Sequence, residues 1–184
     1  MRWESLFQDL EAQFAAATLT AVEGEITERS RLELAALTTM DRIRGQQGVT
    51  LRIRTPSGAL FSGIVQHVGS EWLVLATGSG AAMIPAIALS TVEGMARRTA
   101  TEPSAVATKV QVGSVYRAFA RDRTLLTVQL AVGGTRLEGT IDRVGKDFLE
   151  LATVPLGEQR RSESVSSVVL VPFINVEAVL SRTP

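Results

Sequence analysis

The side chains able to do acid–base chemistry are few and scattered. His67 is the only histidine in 184 residues. It falls in an alternating apolar segment beside Gly69, whereas a general base needs a cleft and a partner that orients it. Asp142 and Asp147 flank Gly145, but no matching carboxylate pair stands in the first half of the chain. Carboxylates that share acid–base or metal work come with more polar company. Gly78-Ser79-Gly80 lacks the lysine and helix that follow a phosphate-cradling loop. A Ser/His/Asp relay has no histidine to draw on beyond His67. The chain has no cysteine, so neither a disulfide framework nor a thiolate metal site can be built. These counts predict a non-catalytic protein with no catalytic, cofactor-binding or metal-ligating residues.

Phosphate contact is the other chemistry to weigh, and it falls to arginine, which outnumbers lysine 17 to 2. Arg52 and Arg54 lie on one face of one strand, where they can meet phosphates together. Arg97, Arg98, Arg121, Arg123, Arg160 and Arg161 form a looser set. The whole chain balances 19 basic against 19 acidic residues. No bulk field draws it toward nucleic acid or an anionic membrane. Residues 1–45 carry five basic and eight acidic side chains, residues 46–112 five and three, and residues 113–184 nine and eight. None of these is a polybasic face, and the arginines read as a solvated surface paired with nearby carboxylates.

The elements that must position these groups are organised by a recurring stretch. Gly58-Ala59-Leu60-Phe61-Ser62-Gly63-Ile64-Val65-Gln66-His67-Val68-Gly69 returns as Gly134-Thr135-Arg136-Leu137-Glu138-Gly139-Thr140-Ile141-Asp142-Arg143-Val144-Gly145. Each copy follows an alternating apolar strand and precedes an aromatic-led one, Trp72-Leu73-Val74-Leu75 and Phe148-Leu149-Glu150-Leu151. Gly58, Gly69, Gly133, Gly134 and Gly145 read as turn residues that supply positive φ. Gly63 and Gly139 lie inside strands, where a missing side chain permits a sharp bend or a close backbone approach. A five-stranded sheet rolling into a tight barrel needs such a bend. The expected architecture is mainly β: N-terminal helices over residues 1–37, a first five-stranded barrel over 38–96, a linker over 97–113 and a second barrel over 114–184. Each barrel is preceded by a short helix, Met40 to Gly45 and Val115 to Arg121, with Thr38 or Thr39 and then Ser114 as caps.

Val49-Thr50-Leu51-Arg52-Ile53, with Gly58, Phe61, Gly63, Val65 and Leu73-Val74-Leu75, resembles the first motif of Sm-like proteins, which include the bacterial RNA chaperone Hfq. Met83-Ile84-Pro85-Ala86-Ile87-Ala88-Leu89-Ser90-Thr91-Val92 resembles the second motif, and Val171-Pro172-Phe173-Ile174-Asn175-Val176-Glu177-Ala178-Val179 is its second occurrence. The resemblance implies SH3-like barrels that pair through strand edges, and RNA binding. At the positions where Hfq carries a Lys-His pair and the Sm proteins an Arg-Gly pair, this chain has Pro85-Ala86 and Pro172-Phe173. The base- and phosphate-contacting groups are therefore missing.

Between Trp3 and Phe14, apolar residues recur at helical steps: Trp3, Phe7, Leu10 and Phe14. They are the nearest candidate to cover Leu60 and Ile64, which alternation leaves on the outer face of the first half. Arg136 and Thr140 occupy the same places in the second half. The alternative cover is another subunit. Early acidic residues Glu4, Asp9 and Glu11 argue against a secretory signal, and no run of apolar residues is long enough for a membrane span. The sequence thus predicts a bacterial, cytoplasmic, non-catalytic interaction or scaffold protein that associates with itself or a protein partner, without cofactor or membrane. The alternative is a divergent RNA or single-stranded nucleic-acid binder contacting its ligand through Arg52, Arg54, Arg160 and Arg161.

Overall fold

The computed structural model describes residues 28–102, 104, 109–153 and 167–182. The chain divides into two compact units, Met1–Thr38 and Thr39–Pro184. In the first, residues 28–36 form an exposed helix, α1. Arg29 and Glu33 pair along it at 3.4 Å, one turn apart, a contact worth a few tenths of a kcal/mol at most.

The second unit opens with α2 (Thr39–Arg44), followed by β1 (Thr50–Arg54), β2 (Leu60–Val68), β3 (Trp72–Thr77), β4 (Gly80–Pro85) and β5 (Thr91–Glu93). After α3 (Val112–Arg121) come β6 (Leu126–Leu130), β7 (Arg136–Val144), β8 (Phe148–Thr153), β9 (Ser167–Pro172) and β10 (Val176–Arg182). A single 3₁₀ turn stands before each half's last strand, Ala86–Ala88 and Phe173–Asn175. The helix expected from Val115 starts earlier. Gln111 is its N-cap residue and Ser114 lies inside it, so Ser114 does not cap.

The expectation of two five-stranded barrels is corrected by the strand order. All ten described strands join in one open antiparallel sheet, ordered β5-β1-β2-β3-β4-β10-β6-β7-β8-β9. The cause is β10. It bonds to β6 on one side, with Val179 opposite Val128, and to β4 on the other, with Val179 opposite Met83. The edge that would have separated the halves is consumed by this pairing. Two apolar clusters flank the junction. Leu51, Ile53, Leu73, Leu75 and Ile84 centre one, and Leu126, Val128, Ile141, Leu149 and Leu151 the other. They are not independent. Ala178 of β10 belongs to the first cluster, while Val176 and Val179 belong to the second together with Met83 of β4. A register shift between Val176 and Ala178 allows one short strand to serve both.

Gly63 and Gly139 are mid-strand, and their role is close approach. A Cβ on Gly63 would stand 2.3 Å from the Ala76 carbonyl oxygen, and one on Gly139 2.2 Å from that of Ala152. Registers match around both. Ile64 faces Ala76 and Thr140 faces Ala152, and the ladder shifts after Val65 and again after Ile141. Gly69 and Gly145 are not the positive-φ turn residues expected. Instead the rings of Trp72 and Phe148 lie against them, within 2.4 Å and 2.3 Å of where a Cβ would be.

Adding a methyl group at either mid-strand glycine forces the paired backbone apart. Gly63→Ala and Gly139→Ala are each expected to lower unfolding free energy by about 2 kcal/mol. Gly78→Ala, where a Cβ meets nothing within 4 Å, should change it by less than about 0.5 kcal/mol. Urea unfolding followed by circular dichroism measures all three.

Candidate functional site

The residues singled out for catalysis do not converge. His67 is exposed on β2, opposite Val74. Asp142 on β7 is held by the guanidinium of Arg123. The arginines expected to meet phosphate have partners of their own. Arg52 stands opposite Glu93 of β5 and pairs with it at 3.5 Å, and Arg54 donates to the Gly58 carbonyl at 3.3 Å. Arg160 and Arg161 lie outside the described residues, as do Trp3, Phe7, Leu10 and Phe14. Leu60 and Ile64 are exposed on the outer face of β2. The corresponding face of β7 behaves in the opposite way. Glu138 and Thr140 are polar yet buried, and among the described residues Glu138 Oε2 and the Thr140 hydroxyl have no hydrogen-bond partner.

Sequence reading passed over Glu177. It occupies β10 between Val176 and Ala178 and is fully buried. One oxygen accepts from the hydroxyls of Ser57 (2.6 Å) and Thr55 (3.0 Å) and from Gln129 Nε2 (3.3 Å); the other accepts the Ser57 N–H at 2.5 Å. Gln129 in turn accepts from Arg136 Nε at 3.1 Å. The carboxylate therefore fastens the β1–β2 turn of the first half to β6 of the second. Burial pushes its pKa up, but the hydrogen bonds from Ser57, Thr55 and Gln129 outweigh that and hold it below the usual glutamate value. A lone acid inside the apolar run Val176-Glu177-Ala178-Val179 was the signal available, since buried carboxylates need partners.

Two surfaces remain for interaction. The outer strands of the sheet, β5 and β9, are each paired on one side among the described residues. β9 presents apolar side chains there, with Val168 and Leu170 59% and 55% exposed. The second surface is a pocket where α3 meets the two 3₁₀ turns, walled by Pro85, Ile87, Tyr116, Phe173 and Ile174, with Glu71 among them. Tyr116 is wholly buried, its hydroxyl has no partner among the described residues, and burial drives its phenol well above the ordinary range. Among the described residues no helix is long and apolar enough to cross a membrane. No known family, curated protein or solved structure matches the chain.

Because the folded state lowers the Glu177 pKa, its contribution is complete above the unfolded glutamate value, near 4.5, and is lost as pH falls through the folded value. Glu177→Gln keeps the shape but points an NH₂ at donors. At neutral pH it should cost about 2–3 kcal/mol. The gap between variant and parent should narrow as pH falls below about 4.5, measured by urea unfolding across pH.

Proposed function

We propose that this protein is a non-catalytic interaction protein that associates with itself through the outer strands of its sheet. The observation that carries the reading is β9. An edge strand with apolar side chains and unpaired N–H and C=O groups is a template for pairing, and proteins that do not use such edges blunt them with charge, proline or a bulge. β9 carries no charged residue over its length, and its one proline, Pro172, stands at its last position, leaving residues 167–171 unblunted.

The β4–β10 junction supplies a pattern for that contact. The recurrence of glycines and of strand registers supports reading the two halves as repeats of one unit. On that reading Met83 corresponds to Leu170 and Val179 to Val92, so β5 of a second copy lies against β9 with Val92 facing Leu170. Such a contact is head-to-tail, joining two different surfaces, and it continues from copy to copy until the assembly closes. The likeness to Sm-like proteins, which assemble through strand edges, supports the same use of β5 and β9. A nucleic-acid role has less support. Arg52 is already paired with Glu93, and Pro85-Ala86 and Pro172-Phe173 offer no phosphate-binding group.

Light scattering on a size-exclusion column should report a mass above that of one chain, rising toward a plateau with concentration. Val168→Lys together with Leu170→Lys should return the mass to one chain without moving the thermal midpoint by more than about 3 °C. A strict monomer at high concentration, or assembly indifferent to the two lysines, contradicts the proposal.

A further inference from the structure

We propose that the pocket beside α3 seats an apolar side chain of a partner polypeptide, with a lysine or arginine next to that anchor facing Glu71. Its volume is about 320 Å³, at the low end for ligand pockets, and suits one aromatic ring or branched chain. The walls are held in place before anything binds. The Ala86 N–H donates to the Glu71 carbonyl at 2.8 Å, and the Phe173 N–H to that of Asp147 at 2.7 Å. Trp72 Nε1 and Ser70 Oγ both donate to the Val110 carbonyl, at 3.0 Å and 3.3 Å, fixing the approach to α3. Phe173 packs on Tyr116 with ring centres 4.9 Å apart. A rigid wall spares an incoming side chain the cost of ordering it.

Two observations define the occupant. Glu71 is the only acidic or basic side chain in the lining, and its carboxylate makes no ion pair or hydrogen bond among the described residues. Charge complementarity therefore places a cation at the mouth. Two of the wall residues, Ile87 and Ile174, also stand 65% and 68% exposed, so apolar surface continues past the space one small molecule fills. A polypeptide covers both, with an anchor inside and flanking chain over the rim. The pocket lies at the 3₁₀ turns and not along β5 or β9, which makes it a surface separate from the sheet edges.

The full chain, labelled with ¹⁵N, can be titrated with three capped dipeptides: acetyl-Trp-Lys-amide, acetyl-Trp-Glu-amide and acetyl-Gly-Lys-amide. The first should give saturable amide shifts at Ala86, Ile87 and Ile174, the second should bind about threefold more weakly, and the third should leave these amides unmoved. Glu71→Gln, an exposed position, should erase the preference for lysine over glutamate while binding of the tryptophan persists. Ile174→Asp should weaken all tryptophan binding. Equal shifts with acetyl-Gly-Lys-amide, no saturation with any probe, or no discrimination between lysine and glutamate would overturn the proposal. Phenethylamine binding as tightly as acetyl-Trp-Lys-amide would also overturn it, by assigning the pocket to small amines.

Discussion

Backbone groups on both sides of β10 are hydrogen-bonded, to β4 on one side and β6 on the other. A buried strand cannot leave either row of N–H and C=O groups unpaired without a cost of about 1–3 kcal/mol per group. That requirement joins the halves more firmly than apolar packing would, because packing tolerates sliding whereas a ladder fixes register. Glu177 adds a second fastening at the same place. Its carboxylate is covered by the protein and is stabilised there by donors from the β1–β2 turn and from β6 that converge on it. Neither half can drift without stranding a buried charge.

The same pairing decides which surfaces remain. With β4 and β10 consumed inside the chain, β5 and β9 become the ends of the sheet. The 3₁₀ turns that follow β4 and β9 are brought to the α3 side, where Pro85 and Ile87 from one half meet Tyr116 and Phe173 from the other. The pocket is thus a product of the junction and draws its walls from both halves.

Strand positions were legible because alternation is a local property. Leu51 and Ile53 point in while Arg52 and Arg54 point out, as burying one face of a strand requires. The mid-strand glycines were legible for the same reason. The fusion of the halves was not. Pairing of β10 with β4 joins segments about ninety residues apart, and both read simply as apolar strands, so nothing local distinguishes a shared strand from one closing its own barrel. The start of α3 was obscured by Gly113, which normally weakens a helix; a Cβ there would make only ordinary contact, 3.4 Å, with the Phe173 ring. Burial of Glu138 and Thr140 was hidden because both are polar residues on what alternation marks as the outer face. Tyr116 falls within the short helix expected over Val115 to Arg121, and its pocket exists only once Phe173 has been carried to it.

The position of β10 in the chain has a bearing on biosynthesis. It is the last of the described strands in sequence order, yet it occupies the middle of the sheet. While the polypeptide emerges from the ribosome, β4 and β6 are both complete but have a vacant flank until residues 176–182 arrive. Their apolar faces stay open for as long as translation of the intervening residues lasts, several seconds at roughly 5–20 residues per second. For this fold the hazardous interval is therefore set by elongation speed, and slow codons ahead of the final strand would lengthen it.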